Sequence, residues 1–442
     1  MRNPVLASLL AAAFFAFPAH AADLLQTYQD ALANDAQYAS ARAAQVAGME
    51  KSVQGRAGLL PSIGLSGTDT ISRTRNELDL PGYGNGVARN SVNTVTLALT
   101  QPLFRWANWQ QYEQGKLSVV ASDAVFAQAR QDLIVRVSQA YFDVLTAQDN
   151  LLTLQAQKLA ISEQLASAKR NFDVGTSTIT DTHEAQARYD LIVAQEFAGQ
   201  SDLQVKRSAL QQIIGKESGE LAMLKPGIQL APPQPQRIED WVSSAEAQNF
   251  SVVASQVSVE IAKREIERNR AGHYPTVDLV ASTGRNSSGG ASGVSSTGVS
   301  NPSAIGVQWN IPLFAGFAVS SRVNEAIALT DKARNDFETA RRVAALGARQ
   351  AYVGVTSGLA QVKAYEAAEI SSQSALDSNK LGYQVGVRIN IDVLNAQQQL
   401  YTTRQTLAKA RYDTVMSGLR LKAAAGILKE ADLDEINAML QH

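Results

Sequence analysis

The chain has 442 residues, with 40 Lys and Arg against 41 Asp and Glu, four His and no Cys. This near-neutral charge offers no bulk electrostatic reason to bind nucleic acid. The lack of Cys excludes disulfides, thiolate metal sites, a Cys nucleophile and a lipid anchor on an N-terminal Cys, while the length allows more than one conventional domain.

The first 21 residues read as a signal peptide. Arg2 supplies a positive start, residues 5–17 are apolar, and Ala19-His20-Ala21 has the small-x-small form of a cleavage site, so the mature chain is expected to begin at Ala22. The apolar run is too short to span a bilayer, and no later run of about 18 apolar residues occurs, so any membrane passage must be made with strands.

Residues 23–58 form one Ala-rich, Pro-free stretch that predicts a helix, ended by Pro61. Residues 62–68 and 94–100 alternate apolar with small or polar side chains, with Val95, Leu97 and Leu99 on one face and threonines on the other. They predict a β-hairpin over 62–101 whose loop, 73–91, carries Pro81, Gly82, Gly84, Asn85 and Gly86, with Tyr83 giving no signal. From 103 to 172 there is no proline. Leu133, Val137, Ala140, Val144, Ala147, Leu151 and Leu154 step by 4 and 3 in turn, and Ile161, Leu165, Ala168 and Phe172 keep the register past Lys158. That is a coiled-coil seam on a helix of about 105 Å. A tip at 171–181 follows, then a helix over 181–214.

Residues 215–240, rich in Gly and Pro, interrupt the pattern, which then restarts. A helix is expected over 241–270, a hairpin over 276–311 with a Gly/Ser-rich loop at 283–302, a long helix over 314–383, a tip at 381–395 and a return helix to 426. Pro102-Leu103-Phe104 returns as Pro312-Leu313-Phe314 at a shift of 210, and Gln139-Ala140-Tyr141 as Gln350-Ala351-Tyr352 at 211. The tips share that shift, Gly175 with Gly386 and Asp181 with Asp392. The chain therefore reads as two tandem repeats, 22–214 and 241–428, separated by the insertion 215–240 and followed by a C-terminal segment, 429–442. Gly175 and Gly386 are expected to end their helices as left-handed caps, and Asp392 to N-cap the next helix.

Enzyme signatures fail. His183-Glu184 lacks a second His at the spacing of a zinc helix, Gly115-Lys116 and Gly215-Lys216 lack the Ser or Thr of a phosphate loop, and Asp181 and Asp392 are duplicates on hairpin tips rather than an acid–base pair. No cofactor or metal is expected. Two hairpins give four strands, too few to close a barrel, and an open edge is not tolerated in lipid, so a membrane reading requires self-assembly; a dimer or a trimer gives an even strand count. Phe104, Trp106 and Trp109 after the first hairpin, and Phe314 and Phe317 after the second, suit a membrane-interface girdle. The competing reading is a periplasmic coiled-coil scaffold without a pore.

The leader, the duplicated helix–hairpin–long helix plan and the paired Val-Gly-x-x-x-x-x-Asp tips, the second reading Tyr383-x-Val385-Gly386-x-Arg388-x-x-x-Asp392-Val393-Leu394, resemble the TolC family of bacterial outer-membrane channel proteins. The resemblance covers essentially the whole mature chain. It implies a mixed α/β membrane protein: a homotrimer with one 12-stranded transmembrane β-barrel, four strands per protomer, continued by a long α-helical coiled-coil tunnel across the periplasm, with 215–240 and the C-terminal residues as a belt. It implies an exit duct for secreted proteins or small toxic compounds, set in outer-membrane lipid and worked by a periplasmic adaptor and an inner-membrane ABC or proton-driven transporter. The missing lipid-anchor Cys leans toward type I secretion. By position, Tyr383 and Arg388 match residues that tie the inner hairpin to the outer, and Thr180 and Asp181 their partners. Asp392 matches a constriction-ring carboxylate. Three such groups about 6 Å apart repel by roughly 2–3 kcal/mol per pair at an effective dielectric near 20. Asn395 stands where a second acidic ring residue is expected, which predicts weaker block by multivalent cations.

Overall fold

The computed structural model describes residues 22–76, 86–290 and 298–441. The expected leader, 1–21, and Tyr83 lie outside the described residues. Two helices, α1 (Leu24–Asn34) and α2 (Ala36–Ala57), lead into strands β1 (Ser62–Asn76) and β2 (Gly86–Phe104), then into α3 (Trp106–Asp173) and α4 (Ile179–Ile214). The order then runs again: α5 (Ile238–Gln248), α6 (Phe250–Arg270), strands β3 (Thr276–Gly290), β4 (Gly298–Ser300) and β5 (Ser303–Asn310), α7 (Ala318–Gln384) and α8 (Asn390–Ala424), closing with α9 (Ala431–Asn437). At 68 residues α3 extends about 100 Å. No helix among the described residues is long and apolar enough to cross a membrane.

Two helices expected to be single are each split. Asp35 ends α1 by donating its N–H to the Ala31 carbonyl (2.8 Å) and starts α2 by accepting the Tyr38 N–H (2.6 Å). Asn249 does the same between α5 and α6, donating to Ala245 and accepting from Ser251. Each is also held from outside: the Asp35 carboxylate meets Arg136 Nη2 at 2.9 Å, and Asn249 Nδ2 donates to the Ala424 carbonyl at 3.0 Å. Short polar side chains can cap a helix mid-pattern without Pro or Gly to advertise the break. Gly115 has a packing role. A Cβ there would lie 2.5 Å from the Lys51 carbonyl oxygen, so it lets α2 press against α3.

The strands form one antiparallel sheet in the order β1-β2-β3, with β4 and β5 both on the far side of β3. They are longer than the alternation suggested: 73–76, 86–91 and 283–290, expected as loop, are strand. The fourth strand is broken at residues 301–302 into β4 and β5. Pro302 has no N–H to give the ladder, and its carbonyl accepts the Gly284 N–H instead (3.0 Å). β2 and β3 pair from Asn90–Gly290 onward, so the sheet joins the two halves of the chain. Register pairs Ile63 with Leu99, Leu65 with Leu97, Ala281 with Ile305 and Val277 with Trp309, which gathers an apolar face. That face is open: Ile63 is 67% exposed, Leu65 72% and Ile305 77%. The opposite face is hydroxyl-rich, with Ser66 beside Thr96 and Thr68 beside Thr94. β1 and the β4–β5 strand each have one neighbour.

The seam packs as a stripe along α3, half-buried at Ala140 and Leu151 and lost at its end. Leu133, Val137, Val144, Ala147, Leu154, Ile161, Leu165 and Ala168 are buried, whereas Phe172 is exposed at the tip. Lys158, the polar interruption, pairs with Glu196 of α4 at 2.5 Å. The largest core lies midway along α3, where Leu24, Tyr28, Tyr141, Phe142, Leu221, Met416, Leu433 and Leu440 meet. There the segment 215–240 meets the C-terminal residues and α3: Leu224 bridges Leu440, and Tyr141 Oη donates to the Ala222 carbonyl at 2.8 Å. Burial pushes the Tyr141 hydroxyl well above its usual range, so it stays protonated and keeps donating.

Candidate functional site

The two helical hairpins end side by side in tips built on one backbone plan. In the first, Gly175 has φ +78°, its N–H donates to the Phe172 carbonyl, and the Asn171 carbonyl collects the N–H groups of Thr176 (2.8 Å) and Ser177 (3.2 Å). In the second, Gly386 has φ +79°, its N–H donates to the Tyr383 carbonyl, and the Gly382 carbonyl collects Val387 (2.9 Å) and Arg388 (3.1 Å). Only glycine takes a positive φ without a Cβ penalty, which is why both tips carry Gly at this place.

The starts of the outgoing helices differ. Thr178 N-caps α4 in a reciprocal box: the Asp181 N–H donates to Thr178 Oγ1 (3.3 Å), and Asp181 Oδ2 accepts the Thr178 N–H (3.1 Å) and hydroxyl (3.1 Å). The matching cap of α8 is Ile389, which has no side-chain cap bond. Asp392 is therefore not the N-cap expected from the sequence. It sits three residues inside, its N–H donating to the Ile389 carbonyl (3.1 Å), and Ile389 has no hydroxyl for its carboxylate to bind. Asp392 Oδ2 instead lies 3.7 Å from Arg388 Nη1.

Asp181, Tyr383 and Arg388 line one polar cleft between the hairpins, with Gln164, Asn171 and Asn390. Thr180 is exposed beside it. Within the chain, Tyr383 Oη accepts from Asn171 Nδ2 at 3.2 Å rather than bonding Asp181. The residue that clamps the hairpins was not visible in the sequence. Asn390 is fully buried, accepts Gln164 Nε2 on Oδ1, and donates from Nδ2 to the Asp181 carbonyl at 3.2 Å. An Asn in a polar turn gives no sign of burial until the second hairpin is placed over it. Below the clamp, Leu165, Ala168, Ala185 and Leu394 form a small apolar core between the hairpins. Asp392, Asn395 and Arg388 line a separate groove on the α7–α8 hairpin. Asn395 Oδ1 accepts from Arg188 Nη2 at 3.0 Å.

The turns present apolar side chains to solvent: Val174 is 72% exposed and Val387 76%, with Ile179, Leu381, Val385 and Ile389 exposed beside them. At the opposite end, Phe104, Trp106, Trp109, Phe314 and Phe317 are all exposed where the strands meet the long helices. At that junction Arg105 grips the buried Asp278 with two bonds, Nε to Oδ1 at 2.7 Å and Nη2 to Oδ2 at 2.5 Å, fastening the start of α3 to β3.

A family profile described as outer membrane efflux protein matches residues 27–216 and 241–427. The chain is 33% identical over 423 residues to the outer membrane protein TolC of Vibrio cholerae, covering 95% of this chain and 94% of that protein. It is 32% identical over 433 residues to the alkaline protease secretion protein AprF of Pseudomonas aeruginosa, covering 95% and 88%. Among solved structures, the CmeC outer membrane channel of Campylobacter jejuni matches with a TM-score of 0.79 at 18% identity, covering 94% of this chain and 89% of that one. The outer membrane protein VceC of Vibrio cholerae matches with a TM-score of 0.77 at 20% identity, covering 91% and 96%.

Proposed function

The chain belongs to the outer membrane efflux protein family, and from that premise we propose that it is the outer-membrane exit duct of a tripartite export system. It conducts proteins or small toxic compounds passively from an inner-membrane pump to the outside and does no chemistry on them. One observation carries the reading: a sheet with one open apolar face and one hydroxyl-rich face runs directly into helices of 67 and 68 residues. The apolar face meets lipid and the hydroxyl face lines water. The single neighbours of β1 and of β4–β5 leave two edges that lipid does not tolerate, and two further copies seal them in a 12-stranded barrel. The exposed aromatics at the sheet–helix junction are the girdle at the periplasmic interface, below which the helices form the tunnel.

The tips are the gate and the docking surface. Tyr383, Arg388, Thr180 and Asp181 hold the closed tip, with Gly175 and Gly386 fixing its turns; Asp392 from three copies forms the constriction ring, with Asn395 one turn further on. Exposed ion pairs are worth only about 0–1 kcal/mol each, so three-fold repetition sets the latch strength, and an adaptor bound to the apolar turns can release it. An inner-membrane ABC or proton-driven transporter supplies the energy through that adaptor.

Detergent extraction of the membrane fraction, sizing and planar-bilayer recording test this. A trimer with discrete conductance is expected; a soluble rod without conductance would establish the scaffold reading instead. Arg388→Ser is expected to raise the conductance of the resting channel, and an unchanged conductance would remove Arg388 from the gate. Block by a trivalent cation is expected to vanish in Asp392→Asn.

A further inference from the structure

One cation reaches the constriction from the outer hairpin. Arg188 of α4 donates from Nη2 to Asn395 Oδ1 on α8 at 3.0 Å. A guanidinium is charged at any pH the protein meets, and its partner here is a neutral amide, so the bond positions the charge without cancelling it. Among the described residues, no carboxylate lies within ion-pairing distance of Arg188. Asn395 follows Asp392 by three residues on the same helix, about one turn, and both line the α7–α8 groove with Arg388. Asp392 is already 3.7 Å from the Arg388 guanidinium. The arrangement is not a product of the duplication. The position matching Arg188 in the second half is Gln399, and the one matching Asn395 in the first is Glu184. It exists only because α4 and α8 lie together.

We propose that Arg188 is an ion-selectivity determinant of this channel: anchored on Asn395, it brings a fixed positive charge to the constriction and offsets the Asp392 carboxylate. The inference rests on the reading of Asp392 as the constriction ring. Asn395 then has a positive role. It is the acceptor that aims the arginine, where an acid would have neutralised it. Three copies place three Arg188 guanidinium groups near three ring carboxylates that Arg388 already faces at 3.7 Å, so the constriction loses the cation preference that the carboxylates alone would impose.

The test is the reversal potential of the reconstituted full-length channel across a KCl gradient, with trimer recovery checked for every variant. Arg188→Gln, which removes three charges from the trimer, is expected to raise the K+/Cl− permeability ratio roughly tenfold and to tighten block by hexamminecobalt(III), because each charge removed near the axis changes ion occupancy by a factor of about two to three in water. Arg188→Lys, which keeps the charge, is expected to hold the wild-type ratio. Asp392→Asn is expected to shift the ratio toward anions. If Asp392→Asn shifts it and Arg188→Gln does not, the ring stands and the role of Arg188 is overturned. If Arg188→Lys raises the ratio as much as Arg188→Gln, charge is not the cause and the proposal also fails. If neither Asp392→Asn nor Arg188→Gln moves it, the ring reading falls and takes this one with it.

Discussion

Six residues after Gly175 stands Asp181, and six residues after Gly386 stands Asp392, on turns whose φ angles are +78° and +79° and whose carbonyls accept the same pairs of N–H groups. Yet Asp181 spends its carboxylate on Thr178 as part of a helix cap, while Asp392 has Ile389 in the cap position and is left to face Arg388. A single difference, Thr against Ile, separates a carboxylate with one oxygen bonded into a helix cap from one that faces an arginine instead. The lesson concerns duplicated chains in general. Backbone geometry follows from a few residues that cannot change, here the glycines, whereas the use of a polar side chain depends on whichever neighbour competes for it. The clamp follows the same rule. Asn390 is buried between the hairpins and bonded to both helices of the first one, to Gln164 of α3 and to the Asp181 carbonyl of α4, while its counterpart Ile179 is exposed.

That contrast can be broken by substitution. The largest effect is expected from Asn390→Ala, which leaves the Asp181 carbonyl and the Gln164 amide without their partner and costs roughly 1–3 kcal/mol. The matched change Ile179→Ala, at an exposed site, is expected to stay within about 0.5 kcal/mol. Hydrogen exchange of the tip amides reads both, and equal protection losses would show that the tips are equivalent after all. A smaller loss, about 1 kcal/mol, is expected for Thr178→Ala, which removes the acceptor of the Asp181 N–H. It frays the start of α4, measured as faster exchange there with α8 unaffected. The smallest effect has the opposite sign. Ile389→Thr should complete a second capping box with Asp392 and stabilise α8 by about 0.5–1 kcal/mol. In the proposed channel the same change draws the Asp392 carboxylate away from the ring, so trivalent-cation block is expected to weaken. If block is unchanged while α8 is stabilised, Asp392 serves the pore and the cap together, and the contrast drawn between the tips is too sharp.

Much of this architecture could be read from the residues. The helical seam showed in its alternating steps of 4 and 3, and the strands in their period of two, because burial of one face writes its period into the sequence. The ends of elements were less legible. The strands run past their alternating cores because ladder hydrogen bonds continue through Arg73, Arg89 and Ser287, whose side chains carry no periodic signal. The breaks at Asp35 and Asn249 depend on bonds to Arg136 and to the Ala424 carbonyl, each far away in the chain. At the candidate site, Gly175, Gly386 and Asp392 announced themselves through the repeated tip, and Tyr383 and Arg388 through the family motif that the second tip resembles. Asn390 and Arg188 did not, since neither belongs to a repeat pattern or an unusual local composition.

Two long helical hairpins with glycine-turned tips and two short-period strand pairs were written in the residues alone, because each depends on contacts within a stretch or on a conformation only glycine adopts. Which polar groups meet was settled by packing. It set Asn390 against Gln164 and the Asp181 carbonyl, Arg188 against Asn395, and Arg105 against Asp278. The two kinds of interaction differ in range. A turn or a hydrophobic stripe is specified within a few residues, but these bonds join positions some 170 to 230 apart, and their strength exists only after apolar packing has brought the helices and strands together.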